Sequence, residues 1–320
     1  MLKISNFWLY YWIGCAIGGL ALGITLAIYS KDNIVVQAES LPSSPTPKAE
    51  INDLVTILFT GDVMLGRTVN KNTIRSGNPD WPFQYVKDVM QNADITYINL
   101  EGPLIKDCPQ TDSGMIFCGD IKNMAGLASA GVDVVSVANN HTLNYGQSGL
   151  DETLAGLISY SISYVGVGST PTVISRKGYK YIFLSFNDIG RYSGINQVDP
   201  ATVATQITNA KELGGLVIVS FHFGNEYEPN PTNRQVDLAH LSIESGADLV
   251  IGAHPHWVQT QETYLEKQIY YSLGNFVFDQ EWSNATKNGL AVRLTYRRSE
   301  LVNTEELPVF IQNFGQPSWK

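Results

Sequence analysis

Five apolar, β-branched runs of this chain each end in a short polar loop, and four of its five histidines stand in those loops. Continuous apolar runs bounded by turn residues are typical of strands buried on both faces. In open α/β sheets, ligands collect outside the carboxyl ends of such strands. We therefore expect five strand ends to converge on one site. The runs with their ends cover residues 54–62, 95–101, 134–141, 216–222 and 249–256.

The segments between these runs fit amphipathic helices that follow cap or turn residues. This alternation predicts an α/β domain with helices flanking its sheet. The C-terminal segments follow one another without helices, so antiparallel strands are expected there, in one mixed domain or two packed sheets. The predicted helices cover residues 83–91, 121–130, 149–160, 201–213 and 234–245. The predicted C-terminal strands cover residues 257–265, 268–272, 290–297 and 307–312.

Composition limits the class of partner. The chain has 320 residues, of which 44% are hydrophobic and 16% charged, so it can bury a full core. Its formal net charge is −9 and it has no basic run. Because phosphate neutralisation needs clustered Lys and Arg, this argues against a nucleic-acid partner.

The N-terminus contains a candidate membrane anchor. Residues 7–29 carry no charged side chain and are long enough to span a bilayer as a helix. The positive-inside rule places residues 1–6 in the cytoplasm and the rest of the chain outside. Residues 36–38 could be a cleavage site, but they lie far from the apolar segment. A retained single-pass anchor in the cell membrane is therefore favoured over a long export signal.

A Pro/Ser-rich linker over residues 30–50 is expected to separate the anchor from an extracytoplasmic domain at residues 51–320. In that compartment Cys108 and Cys118 could close a small disulfide loop. Two unpaired thiols or a soft metal site are the alternatives.

The residues at the strand ends suggest a metal site, since imidazole and carboxylate are ligands of Zn, Mn and Fe. Asp62 follows a glycine that allows close backbone approach, although a helix cap is the plainer interpretation. Asn99 and Glu101 lie on one side of an extended chain. The Asn-Asn-His tripeptide 139–141 is either functional or a turn that bonds its own backbone. The loop 254–256 presents two imidazoles around a proline.

Two further positions each have two interpretations, and a third has only a structural one. His222 is either a satisfied core histidine or a metal ligand, with Glu226 orienting a bound group. Residues 272–275 either line the same cleft or form a tight glycine turn. His240 lies in a helical pattern away from any strand end, and we interpret it as structural.

Taken in order, these motifs resemble the CapA family, whose members are associated with poly-γ-glutamate capsule synthesis and have a metallophosphoesterase-like fold. The resemblance covers about residues 54–280. The matching segments are Phe-Thr-Gly-Asp-Val-Met at 59–64, Asn-Leu-Glu-Gly-Pro at 99–103, Ala-Asn-Asn-His at 138–141, His222 with Glu226, Gly-Ala-His-Pro-His at 252–256 and Tyr-Ser-Leu-Gly-Asn-Phe at 271–276.

The resemblance implies a site for one or two divalent metal ions (Mn, Zn or Fe). It implies His141 as the general acid beside the leaving group, with Asn139 and Glu226 as further catalytic residues. Met64 stands where the wider superfamily has a histidine ligand, and Glu101 replaces its usual aspartate. The implied metal ligands are Asp62, Glu101, Asn140, His222, His254 and His256.

The expected protein is thus a metallophosphoesterase-like α/β sandwich of mixed sheets flanked by helices, preceded by one transmembrane helix. The expected function is metal-dependent hydrolase or transferase chemistry in the synthesis or processing of a poly-γ-glutamate-type capsule polymer. The alternative is a non-catalytic polymer-binding subunit of a membrane synthesis or export complex. The expected partners are the lipid bilayer, an anionic polymer and membrane-embedded synthase or export subunits.

Overall fold

The computed structural model describes residues 53–320, in which two large β-sheets pack against each other. The strands are β1 (Leu54–Val63), β2 (Ile95–Leu100), β3 (Leu104–Ile105), β4 (Gly119–Asp120), β5 (Val134–Ser136), β6 (Ser163–Val165), β7 (Thr172–Arg176), β8 (Tyr179–Asn187), β9 (Leu216–His222), β10 (Leu249–Ala253), β11 (Gln261–Tyr264), β12 (Lys267–Tyr270), β13 (Asn275–Val277), β14 (Asn288–Arg297), β15 (Glu300–Gln312) and β16 (Gln316–Trp319). The helices are α1 (Arg67–Ser76), α2 (Lys87–Gln91), α3 (Met124–Ser129), α4 (Gly146–Ser159), α5 (Pro200–Glu212), α6 (Asn233–Glu244) and α7 (Asn284–Lys287), with 3₁₀ turns at Trp81–Phe83 and Ile121–Asn123.

Each large sheet contains a run of parallel strands. The first has the order β16-β15-β14-β1-β2-β5-β6, with β13 also pairing with the end of β1. Strands β1, β2, β5 and β6 are parallel, whereas β14, β15 and β16 are antiparallel. The second sheet has the order β11-β12-β10-β9-β8-β7, with antiparallel strands only at its edges. Strands β3 and β4 form a separate pair.

Alternating side chains build a four-layer sandwich. Ile57 and Phe59 of β1 lie in the core between the sheets, and Leu58 faces the core under helices α1 to α4. In the second sheet, Ile218 points to the shared core and Val219 to the core under α5 and α6. A strand buried on both faces must be apolar at every position, which explains the continuous apolar runs.

The mixed α/β fold with sheets flanked by helices is confirmed, and the interpretation as two packed sheets holds. Helix α1 was not predicted, because residues 67–76 are mostly polar and present few buried side chains. Strands β6, β7 and β8 were also missed. The predicted antiparallel pairing of C-terminal strands is found for β11 with β12 and for β14 with β15, whereas β12 also pairs parallel with β10 because β11 returns the chain before it.

The predicted cytoplasmic tail (1–6), anchor (7–29) and linker (30–50) lie outside the described residues. Within residues 53–320, no helix is long and apolar enough to cross a membrane.

The connection between β3 and β4 is closed by a disulfide between Cys108 and Cys118, whose Cα atoms are 5.9 Å apart. Both cysteines are buried and pack with Ile105 and Tyr145. The alternatives of free thiols or a soft metal site therefore do not apply. The bond fixes the residue next to Cys118, Phe117, which reaches the candidate site described below.

We expect that Cys108→Ser with Cys118→Ser lowers the free energy of unfolding of the 51–320 domain by about 2–3 kcal/mol, because the bond limits the unfolded chain. Urea denaturation followed by fluorescence, on protein exported to an oxidising compartment, measures the difference. Reductant should shift the wild-type midpoint to that of the double variant. Identical midpoints for wild type and variant without reductant would contradict the prediction.

Candidate metal centre

Asp62 lies at the carboxyl end of β1, between asparagines of two neighbouring strands. It pairs in register with Asn99 of β2 and with Asn275 of β13. The Asp62 side chain is fully buried, and its Oδ1 accepts a hydrogen bond from Asn99 Nδ2 at 2.8 Å. Gly61 allows this packing, because a Cβ there would stand 2.0 Å from the Gly274 carbonyl oxygen. The same carbonyl accepts the Asp62 N–H at 2.9 Å.

Glu101 supplies a second buried carboxylate directly after β2. Among the described residues, neither of its carboxylate oxygens has a hydrogen-bond partner. Its Oε1 lies 3.8 Å from His256 Nε2, and ligand atoms of Asp62, Glu101 and His256 all lie within 4.8 Å of one another. Burial raises the pKa of Glu101 to about 8, although the His256 charge acts in the opposite direction. Burial thus favours the protonated form of Glu101, and a bound cation would favour its carboxylate form.

His254 and His256 come from one loop after β10, and both have left-handed backbone, with φ of 99° and 59°. Such values are uncommon outside glycine and mark a loop held in place by its surroundings. Asp62 Oδ2 accepts the His254 backbone N–H at 3.3 Å and lies 3.2 Å from His256 Nδ1. Glu226, from the loop after β9, joins both histidines in a second set whose ligand atoms lie within 4.8 Å.

The two imidazoles of this loop differ in charge. Burial lowers the pKa of His254 to about 3, so its ring is neutral, and its Nδ1 is buried without a hydrogen-bond partner among the described residues. Burial also acts to lower the pKa of His256, but the charges of Glu101 and Asp62 outweigh it and raise that pKa to about 9. His254 therefore offers a free lone pair, and His256 carries the charge that offsets the carboxylates.

His222, at the end of β9, stands beside these sets but belongs to neither of them. Its ring centroid lies 4.8 Å from that of His254. His222 Nε2 is 2.9 Å from Asn140 Oδ1, and His222 Nδ1 is 3.4 Å from Asn99 Nδ2. Because Asn99 Nδ2 can only donate, Nδ1 accepts and Nε2 carries the proton. The structure thus brings His222 and Asn140 together.

Asn139 supports the loop that carries His141. Asn139 Nδ2 donates to the Leu100 carbonyl at 2.8 Å, and its Oδ1 accepts from His141 N at 3.1 Å and Thr142 Oγ1 at 3.0 Å. The tripeptide 139–141 was interpreted either as functional or as a turn that bonds its own backbone. Asn139 fits the second interpretation. Its amide positions the loop, and we assign it that role in place of the catalytic role implied by the resemblance.

His141 faces Glu101, with its Nε2 lying 3.7 Å from Glu101 Oε1. The other ring nitrogen, Nδ1, lies 3.0 Å from Asn144 Oδ1, which also accepts the Phe117 N–H at 2.7 Å. Asn144 Oδ1 is therefore an acceptor, so His141 Nδ1 carries a proton and Nε2 is the nitrogen left to gain or lose one. Burial lowers the pKa of His141, which favours the neutral ring.

Two neighbours of His141, Arg67 and Phe117, were not singled out in the sequence because neither follows an apolar run. The Phe117 ring stacks on His141 with centroids 4.0 Å apart, and the Arg67 guanidinium carbon lies 4.7 Å from the Phe117 centroid. Arg67 also forms an ion pair with buried Asp279. The imidazole and the guanidinium cannot both lie on one face of the Phe117 ring at these distances. Phe117 therefore lies between His141 and Arg67 and fixes the imidazole plane.

Asn275 positions the His256 ring. Its Oδ1 lies 2.9 Å from His256 Nδ1, and its Nδ2 donates to Gln280 Oε1 at 3.0 Å. Gly274, just before it, has a φ of 68°. Both interpretations of residues 272–275 therefore apply, because the glycine turn is what brings Asn275 to the site.

The donor set fits a divalent metal ion. Two carboxylate oxygens of Glu101 and Nδ1 of His254, unpartnered among the described residues, are buried polar atoms that a cation would satisfy. Oxygen and imidazole nitrogen are the donors that Mn, Fe and Zn take. Met64 takes no part, since it is buried in the core under the helices and its sulfur accepts the Gly66 N–H at 3.0 Å.

Comparison with known proteins gives a consistent match. The family described as "Bacterial capsule synthesis protein PGA_cap" matches residues 56–280. The chain is 30% identical to the PGA biosynthesis protein CapA of Bacillus subtilis (strain 168), over 84% of this chain and 74% of the relative. It is 30% identical to the capsule biosynthesis protein CapA of Bacillus anthracis, over 83% and 69%. A probable polyglutamine synthesis accessory protein of Mycobacterium tuberculosis is 27% identical, over 72% and 76%.

Solved structures match in fold. A novel phosphatase from Mycoplasma pneumoniae aligns with a TM-score of 0.53 at 16% identity, over 82% of this chain and 95% of that one. A hypothetical protein from Thermus thermophilus aligns with the same TM-score and identity, over 79% and 98%. At this identity the likeness concerns the fold alone.

We expect the purified 51–320 domain to bind at least one divalent transition metal, and His254→Ala with His256→Ala to remove it, since His256 belongs to both donor sets and His254 to one of them. Elemental analysis after dialysis against Mn, Zn or Fe measures the content. The matched control is His240→Ala, because His240 Nε2 lies 3.0 Å from Glu262 Oε1, on α6 and outside the donor sets. Equal metal in the wild type and the double variant would show the ligand assignment to be wrong.

Proposed function

The chain belongs to the bacterial capsule synthesis family PGA_cap, and we propose that it is a metal-dependent hydrolase or transferase acting on a poly-γ-glutamate-type polymer. The observation that carries this proposal is the buried Glu101 carboxylate, unpartnered among the described residues and surrounded by histidines. A purely structural core would not retain such a group, because burying a carboxyl group without hydrogen bonds is costly. The names of the relatives support the polymer class.

Asp62, Glu101, His254 and His256 would hold the metal, with Asn140 and His222 at the side and Glu226 at the solvent-facing edge. A divalent ion bound there supplies Lewis acidity and lowers the pKa of water. The metal would be Mn, Zn or Fe. Because Met64 is turned into the core, we favour one firmly held ion over two.

Proton transfer is assigned to His141. Asn144 fixes its Nδ1 as the protonated nitrogen, and Phe117 fixes the plane of the ring, so Nε2 points toward Glu101 and the donor sets. Because the neutral ring has its lone pair at Nε2, His141 would first accept a proton there, as from an attacking water, and then give that proton to a departing atom. Asn139 keeps the His141 backbone in position from behind.

We further propose that the domain works outside the cytoplasm, tethered by an anchor at residues 7–29 with residues 1–6 inside the cell. The buried disulfide supports an oxidising compartment. Membrane-embedded synthase or export subunits and an anionic polymer are the proposed partners. The polymer would reach the site near the membrane surface, where such subunits release it.

One observation favours a second candidate function, a non-catalytic polymer-binding subunit. The position where metallophosphoesterases carry a histidine ligand is Met64, which is buried in apolar contacts. The mycobacterial relative is described as an accessory protein. In that case the inherited site would hold a metal for structure while other subunits carry out the chemistry.

We expect His141→Asn to leave metal content and folding intact and to lower turnover by about 10²–10⁴-fold, since general acid catalysis contributes that much. Asp62→Asn should lose metal and activity together, because Asp62 belongs to the ligand set. Turnover of phosphomonoesters, phosphodiesters and poly-γ-glutamate is measured with each metal supplied singly.

The matched control is Asn303→Ala, an exposed residue of β15 outside the site. The enzyme proposal would be contradicted if the wild-type protein binds the polymer but turns over none of these substrates, and if the His141→Asn variant binds the polymer equally well. The subunit function would then remain.

A further inference from the structure

An open cavity of about 300 Å³ lies between the loop that follows β8 and the first turn of α6. No residue of the candidate metal centre lines it, so it is a separate feature of the surface. Its lining residues are Asn187, Asp188, Gly190, Arg191, Gln197, Val198 and Arg234.

The cavity adjoins the candidate metal centre through the backbone. Asn187 at the end of β8 pairs in register with His222 at the end of β9, so the two side chains lie on the same face of the sheet. The next residue, Asp188, donates its backbone N–H to the His222 carbonyl at 2.9 Å. The cavity therefore begins at the strand end that pairs with His222.

One side of the cavity is formed by an ion pair and carries no net charge. Arg234 Nε and Nη2 donate to the two carboxylate oxygens of Asp188 at 2.5 and 2.6 Å, a bidentate pair. The Asn187 side chain donates from Nδ2 to the Ile189 carbonyl and accepts the Ile189 N–H at Oδ1, which fixes the turn beside the cavity. These groups shape the cavity but leave no net charge on that side.

A second arginine of the lining, Arg191, stands outside this ion pair. Among the described residues, no hydrogen bond or ion pair engages its exposed guanidinium. The Asp199 carboxylate caps α5 by accepting from Thr202 N at 3.0 Å and Thr202 Oγ1 at 2.7 Å, and the pKa of Asp199 is lowered by these bonds and by the charge of Arg191. The charged residues that line the cavity, Asp188, Arg191 and Arg234, sum to +1, which on a chain with a net charge of −9 is a local attraction for an anion.

We propose that this cavity binds a carboxylate of a polyamide chain whose neighbouring repeat lies at the metal centre. Arg191 would bind the carboxylate, and the Gln197 amide, whose Oε1 has no partner among the described residues, would accept from a chain N–H. This inference rests on the proposed function and names its substrate class: an unbranched polymer with one carboxylate and one amide per repeat.

The test is a binding measurement that needs no catalysis. Isothermal titration calorimetry of the metal-stripped full-length chain with a synthetic γ-linked glutamate pentamer compares wild type, Arg191→Gln and Arg191→Lys. We expect Arg191→Gln to weaken binding by about tenfold and to flatten its salt dependence, because one charge-assisted contact is lost. Arg191→Lys should keep part of the affinity, since the charge remains.

Two controls sharpen the result. Arg297→Gln removes another exposed arginine, which lies opposite Leu54 at the far end of β1, and should bind like wild type. A γ-linked glutamine pentamer, which lacks the carboxylates, should bind weakly and equally to wild type and Arg191→Gln. Equal glutamate-pentamer affinity of wild type and Arg191→Gln, or no pentamer binding by wild type, would overturn the inference. Metal content and turnover of the same preparations test the proposed function independently.

Discussion

The buried carboxyl group of Glu101, which has no hydrogen-bond partner among the described residues, is the constraint on which the rest of the site depends. Removing an ionised carboxylate from water is costly unless a cation or hydrogen-bond donors replace the lost hydration. Here the available compensation is the charge of His256, 3.8 Å from the carboxylate, and that of a metal ion. Metal binding and domain stability should therefore be coupled, because a ligand that binds only the folded state stabilises it.

The two-sheet sandwich makes this arrangement possible by supplying rigid strand ends. Asp62 is held by β2 and β13 on either side, and it in turn holds the loop that carries His254 and His256. The left-handed backbone of both histidines shows that the surrounding contacts decide this loop's shape. A site built this way keeps its donors in place before a ligand arrives, which is what binding and catalysis both need.

Much of the site could be predicted from sequence because its residues follow apolar runs. A buried parallel strand must be apolar throughout, so the first polar residue after it marks the sheet edge where ligands bind. Asp62 and His222 were found in this way. Arg67 and Phe117 could not be, since they reach the site through a mostly polar helix and a disulfide loop that carry no periodic signal. Arg191 was missed because the strand before it, β8, was itself missed. Nor could the sequence distinguish the roles within one motif, since Asn139 and Asn140 are adjacent and chemically identical, but one bonds the loop backbone and the other meets His222.

Anomalous diffraction from crystals of the metal-loaded domain tests directly whether Glu101 is a metal ligand. Data collected on both sides of the absorption edge of Zn or Mn locate the ion without reference to activity. We expect an anomalous peak about 2.0–2.2 Å from a Glu101 carboxylate oxygen, with an imidazole nitrogen of His254 or His256 in the same coordination shell. A fully occupied ion elsewhere, with the Glu101 carboxylate still lacking a cation, would contradict it.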